Sequence, residues 1–122
     1  MAKKLSSNME DYLEAIISTC KKKGYAQVKD IKNALDVKMP SVTGALTKLK
    51  QHKLITQEKY GHIHLTPEGT KVAEEIEQKH KTLVKFLTDI LKIDKKTAET
   101  DACKMEHIIS PKTYEKIKQF KK

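Results

Sequence analysis

The chain has 122 residues, 38% of them hydrophobic, and carries 25 basic against 16 acidic side chains for a formal charge of +9. That length supports one compact unit or two small, closely packed lobes, and two cysteines outside any CxxC pair exclude a disulfide framework. No apolar run approaches the roughly 18 residues of a membrane span, and the opening Met-Ala-Lys-Lys-Leu-Ser-Ser lacks an apolar signal core. The expectation is a soluble cytoplasmic protein with a polyanionic partner, no membrane and no small-molecule substrate.

The bias is uneven: residues 1–60 hold 12 lysines against 6 acids, and residues 61–122 hold 13 against 10. The first half should face the polyanion. Arginine is absent, so bidentate arginine contacts to guanine are unavailable and base reading rests on Lys, Ser, Thr, backbone groups or DNA shape.

After a loose basic start over residues 1–7, Met9, Tyr12, Leu13, Ile16, Ile17 and Cys20 form an unbroken helical stripe. Asn8 is the expected N-cap, with Asp11 as its capping-box acid and Glu14 on a solvated face, and the helix should end near Lys23 before Gly24. A second helix spans about Gln27 to Leu35. Asp36-Val37-Lys38-Met39 turns the chain, and Pro40 opens a third helix with Val42, Ala45, Leu46 and Leu49 inward. Its outer face carries Ser41, Thr43, Gly44, Thr47, Lys48 and Gln51, small or polar groups that enter a major groove without conflict.

Residues 54–65 alternate around Tyr60-Gly61 as a short hairpin, which after a helix-turn-helix is a wing. Lys59, Tyr60 and His62 near its tip are candidates for phosphate or minor-groove contacts. The DNA-facing set is therefore Lys38, Pro40, Ser41, Thr43, Gly44, Thr47, Lys48, Lys59 and Tyr60. His62 and His64 share a strand face but have no neighbouring acid or thiol in the sequence, and read as exposed wing residues.

Thr66-Pro67-Glu68 starts a fourth helix expected to run about 26 residues, roughly 39 Å. His80 occupies a place in its apolar stripe between Ile76 and Leu83, where a polar group costs stability unless paired. A fifth helix runs from Lys95 to about Ile109, and Ser110-Pro111 starts a sixth. In the fifth, Cys103, Glu106 and His107 stand at i, i+3 and i+4 and offer a thiol, a carboxylate and an imidazole from one face. Ala98, Ala102, Met105 and Ile109 form the packing stripe beside them.

The stretches Met9-Glu10-Asp11-Tyr12-Leu13-Glu14, Pro40-Ser41-Val42-Thr43, Leu65-Thr66-Pro67-Glu68-Gly69, Lys79-His80, Phe86-Leu87-Thr88-Asp89-Ile90 and Cys103-Lys104-Met105-Glu106-His107, in this order, resemble the metal-dependent repressors of the diphtheria toxin repressor and manganese transport regulator family. The resemblance implies a mainly α fold: a winged helix-turn-helix DNA-binding domain over residues 1–70 and a helical metal-binding and dimerisation domain over 71–122. It implies a homodimeric repressor of metal-homeostasis genes, bound to a palindromic operator in double-stranded DNA. It also makes Asp11 and Glu14 metal ligands together with His80, Cys103, Glu106 and His107.

The position of Cys103 is a Glu in the manganese type and a Cys in the iron type, while Asp11 follows the manganese type, so the implied ion is Mn²⁺ or Fe²⁺. The iron type's ancillary site is not reproduced, because Val84 and Glu99 stand where it has a Glu and a His. Glu99 is instead a candidate ligand beside Cys103, Glu106 and His107 if a second ion binds. The sequence ends at Lys122, short of the SH3-like domain of the iron type and the final helix of the manganese type, so dimerisation is expected to rest on the fifth and sixth helices.

The principal alternative is a metal-independent winged-helix regulator that senses a small molecule or, through Cys103, a thiol oxidant. An enzyme using Cys103 and His107 as nucleophile and base is disfavoured, since both lie mid-helix and no Gly-rich turn is near.

Overall fold

A computed structural model of the chain describes residues 5–59 and 61–120, and Tyr60 lies outside the described residues. The order of elements is α1 (Ser7–Lys23), α2 (Val28–Leu35), α3 (Met39–Gln51), β1 (Ile55–Gln57), β2 (Ile63–Leu65), α4 (Pro67–Lys85), a π-helical turn (Phe86–Ile90), α5 (Lys95–Ile108) and α6 (Pro111–Gln119). The chain divides into two compact units, Met1–Glu74 and Glu75–Lys122. Among the described residues no helix is long and apolar enough to cross a membrane.

In the first unit α1 begins two residues earlier than its apolar stripe. The N-cap is Ser6 rather than Asn8: its hydroxyl accepts from the Met9 backbone N–H at 3.2 Å. Asn8 and Asp11 therefore lie inside the helix, and Asp11 is not a capping-box acid. At the other end Gly24, at φ 88°, takes the left-handed cap conformation that a side chain disfavours. Tyr12, Leu13, Ile16 and Ile17 of α1 are buried with Ile31 of α2 and Val42, Leu46 and Leu49 of α3. Burial of these stripes holds the three helices together, because helices this short are marginal alone.

The turn between α2 and α3 passes through Asp36 at φ 52°. Asp tolerates this region better than most residues, and the bend sets the helix-turn-helix. Strands β1 and β2 pair antiparallel with Ile55 opposite Leu65 and Gln57 opposite Ile63. On the other side of β2, Ala26 and Ile63 exchange backbone hydrogen bonds of 3.0 and 2.7 Å. The wing is thus tied to the segment between α1 and α2 as well as to its own partner strand.

The second unit is helical. Leu83, Leu87, Ala98 and Ala102 form its buried core, with Phe86, Ile93, Met105 and Ile117 packed around it. Asp94 caps α5 by accepting from the Thr97 N–H at 2.9 Å, and Ser110 caps α6 by accepting from Thr113 at 3.2 Å. The backbone hydrogen bond to Asp94 holds its carboxyl below the ordinary range. The expected 26-residue fourth helix is instead 19 α-helical residues followed by the five-residue π turn, with the Leu91 N–H reaching back to the Phe86 carbonyl at 3.3 Å. The Thr88 hydroxyl also donates to the Val84 carbonyl at 3.1 Å, a back-bond that competes with the regular ladder.

Candidate metal centre and nucleic-acid interface

In the second unit the His80 ring stands between two carboxylates of α5. Its Nδ1 lies 2.6 Å from Glu106 Oε1 and its Nε2 lies 2.8 Å from Glu99 Oε2. Glu99 and Glu106 are seven residues apart, two turns of helix, so both carboxylates rise from one side of α5. The polar gap that His80 leaves in the α4 stripe is closed by pairing.

Glu106 is 3% exposed and is the buried charged residue of the described chain. It belongs to the packing seam: Ala98, Ala102 and Glu106 follow at intervals of four, while Met105 and Ile109 are only partly buried. The expected stripe of Ala98, Ala102, Met105 and Ile109 does pack in and against the core, and Glu106 joins it as a buried member that the stripe did not include. Small side chains at 98 and 102 bring α5 close to its neighbours, and the next residue on that line is carried inward with them.

Two further donors adjoin this pair. Glu106 Oε2 lies 3.8 Å from His107 Nε2, and the ligand atoms of Cys103 and His107 are within 4.8 Å of each other. The Cys103 side chain is exposed. The second unit therefore gathers His80, Glu99, Cys103, Glu106 and His107 as a connected set of two imidazoles, two carboxylates and one thiol. That mixture of borderline and hard donors fits a divalent first-row transition metal better than Ca²⁺ or Mg²⁺, which favour oxygen alone. Asp11 and Glu14 are in the first unit, one helical turn apart on α1 and half-buried.

On the first unit, Lys38, Pro40, Ser41, Thr43, Gly44, Thr47 and Lys48 are all exposed along the start and outer face of α3. Thr47 donates to the Thr43 carbonyl at 3.0 Å, so its hydroxyl is already oriented along the helix. A Cβ built on Gly44 would meet nothing within 4 Å, so packing does not require glycine there. Lys59 is exposed on the wing.

His62 and His64 do have an acidic neighbour, contrary to the reading from the linear sequence. Glu58 Oε1 lies 2.8 Å from His64 Nε2, and Glu58 Oε2 lies 3.9 Å from His62 Nδ1. The hairpin folds Glu58 back over the strand, and its position six residues before His64 across Gly61 was the available signal. His62 also stacks on Tyr25 with ring centroids 3.9 Å apart, and Lys23 lies 5.0 Å from the Tyr25 ring centre. Lys23 further pairs with Asp30 at 2.9 Å, and this hydrogen bond holds the Asp30 carboxyl below its ordinary range. No spacing rule announces the Tyr25 contact.

Residues 4–63 match the family described as iron dependent repressor, N-terminal DNA binding domain, and residues 66–122 match iron dependent repressor, metal binding and dimerisation domain. An uncharacterized HTH-type transcriptional regulator of Methanocaldococcus jannaschii is 36% identical over 95% of this chain and 94% of its own length. The HTH-type transcriptional regulator MntR of Bacillus pumilus is 36% identical over 90% of this chain and 76% of its own. Among solved structures, T. acidophilum IdeR superposes with a TM-score of 0.79 at 29% identity over 88% of this chain. The manganese regulator SloR gives 0.82 at 26% identity over 95%. This chain spans about half the length of both, 51% and 54%. With both halves matched and relatives above one-third identity over 76% and 94% of their own lengths, the chain belongs to the DtxR/MntR family of metal-dependent transcriptional repressors.

Proposed function

We propose that this protein is a homodimeric, cytoplasmic repressor that binds a palindromic operator when Mn²⁺ or Fe²⁺ is plentiful, and thereby controls metal-homeostasis genes. The observation that carries the reading is the buried Glu106 paired with His80 and adjoined by His107, in the half of the chain that matches a metal-binding domain. His80, Cys103, Glu106 and His107 would hold the ion, with Asp11 and Glu14 of α1 joining them and residues 1–70 and 71–122 acting as the two domains. A bound ion supplies positive charge to a carboxylate-rich donor set and a cross-link among its ligands.

The chain's own groups do the rest. The Ser41, Thr43 and Thr47 hydroxyls and the Lys38 and Lys48 ammonium groups address bases and phosphates from α3, and Lys59 adds a phosphate contact from the wing. Dimerisation sets two copies of α3 near one DNA turn apart, as in other dimeric helix-turn-helix proteins. Leu91, Ile108 and Phe120 of the second unit are 52%, 82% and 54% exposed, apolar surface suited to burial against a second copy.

Fluorescence anisotropy on the protein's own upstream DNA, near physiological salt with competitor DNA, tests the reading. Binding should tighten on passing from chelator to Mn²⁺ or anaerobic Fe²⁺, and Glu106→Ala should abolish the gain. Specific binding that ignores both ions but responds to peroxide would replace it with a thiol-sensing regulator.

A further inference from the structure

We infer that Glu99 is a positioning residue that fixes the metal-facing nitrogen of His80, and not itself a ligand. The inference rests on the proposed metal centre and assigns a side to each nitrogen of one ring. The enclosed carboxylate lies on the Nδ1 side of His80: Glu106 Oε1 is 2.6 Å from Nδ1, and its Oε2 is 3.8 Å from His107 Nε2, which Cys103 adjoins in turn. The Nε2 side meets the Glu99 carboxylate at 2.8 Å. Glu106 is enclosed, with a side chain 0% exposed, whereas the Glu99 side chain is 46% exposed.

An ion held by His80 together with Glu106 takes the lone pair of Nδ1, the nitrogen that faces Glu106. The Nε2–H then points at Glu99, which accepts it. This is the carboxylate–histidine–metal arrangement, in which the outer carboxylate sets the tautomer, locks the ring and raises the basicity of the coordinating nitrogen. Helical spacing supplies the register: with Glu106 and Glu99 two turns apart on α5, one carboxylate meets each edge of a ring that enters from α4. His80 is 20% exposed at its side chain, so without Glu99 the ring has one anchored edge and one facing water.

The test titrates wild type, Glu99→Gln and Glu99→Ala with Mn²⁺ in the absence of DNA. Free Mn²⁺ is read by electron paramagnetic resonance, and the histidine nitrogen coupling of the bound ion by pulsed methods. Glu99→Ala should weaken Mn²⁺ binding about 10- to 100-fold, the usual cost of losing such a partner, with the number of ions per chain unchanged. Glu99→Gln, whose amide oxygen still accepts from Nε2–H, should retain most of the affinity and the wild-type nitrogen coupling. Loss of one ion per chain in both variants would make Glu99 a ligand and overturn the inference. Unchanged affinity in Glu99→Ala would overturn it equally. Failure of the wild type to bind Mn²⁺ at all would instead strike the proposed function, so the two failures are distinguishable.

Discussion

Replacing Gly69 by alanine should break the start of α4. A Cβ there would stand 1.8 Å from the Leu54 carbonyl oxygen, 2.8 Å from its carbon and 3.1 Å from Leu54 Cα. All three atoms are backbone, so no side chain can rotate away. The oxygen is also committed, since it accepts the Thr66 N–H at 3.1 Å, and the Thr66 hydroxyl bridges the Lys53 carbonyl at 2.8 Å and the Gly69 N–H at 3.0 Å. Relief of the clash must move α4 away from residues 53–54 and stretch these bonds.

Helix propensity alone would favour alanine by about 0.5–1 kcal/mol. Overpacking costs about 1–3 kcal/mol and each weakened hydrogen bond about 0.5–1.5 kcal/mol, so sterics win and the net loss is about 2–4 kcal/mol. For a unit of this size that lowers the melting temperature by at least about 10 °C. Thermal unfolding followed by circular dichroism measures it, and Gly44→Ala is the internal control. With nothing within 4 Å of its Cβ, that identical change should stabilise by about 0.5–1 kcal/mol. A Gly69→Ala protein that melts at or above wild type would refute the steric argument.

Asp30→Asn should destabilise the chain at neutral pH, but the gap to wild type should close in acid. The Lys23 hydrogen bond depresses the Asp30 carboxyl below its ordinary value of 3.8, so its contribution is present above that value and lost as pH falls through the depressed one. Urea unfolding of both proteins from pH 6 down to pH 2.5 reads the convergence, and a gap that persists at the acid end counts against the pairing. Tyr25→Ala removes the stack on His62 and should cost about 0.5–1.5 kcal/mol beyond the area lost, with amide exchange at Ile63 accelerating first because Ala26 bonds to it. Lys48→Ala should weaken binding evenly across DNA sequences and reduce the salt slope of log K by about 1, whereas a sequence-dependent loss would make Lys48 a base reader. Burial raises the Cys20 thiol above its ordinary range while Cys103 is exposed, so iodoacetamide at pH 8 should label Cys103 before Cys20, as peptide mass spectrometry would record.

Much of this was written in residue spacing. The α1 and α3 stripes are long and unbroken, so both helices and the outward α3 face follow directly from period. The i, i+3, i+4 set of Cys103, Glu106 and His107 likewise announces donors on one helix. Other features depend on contacts that no local window contains. Ser6 and Asn8 are both good caps, and only the Met9 hydrogen bond chooses between them. Spacing marks Glu106 as a donor, but its burial and its partner, His80, 26 residues earlier, emerge only from the fold. The π turn has no breaker to mark it; Thr88, whose hydroxyl bonds back to Val84, is an ordinary residue in most helices.

The open space over Gly44 has a consequence for retargeting. Specificity is usually hard to change because a new side chain must first displace an old one and then find room among its neighbours. Here the middle of the exposed α3 face offers a position where a side chain can start without displacing anything around its Cβ. A guanidinium installed there would give this arginine-free protein a bidentate contact to guanine that it does not possess. The face behaves as a nearly blank template whose operator preference is open to rewriting at a single residue.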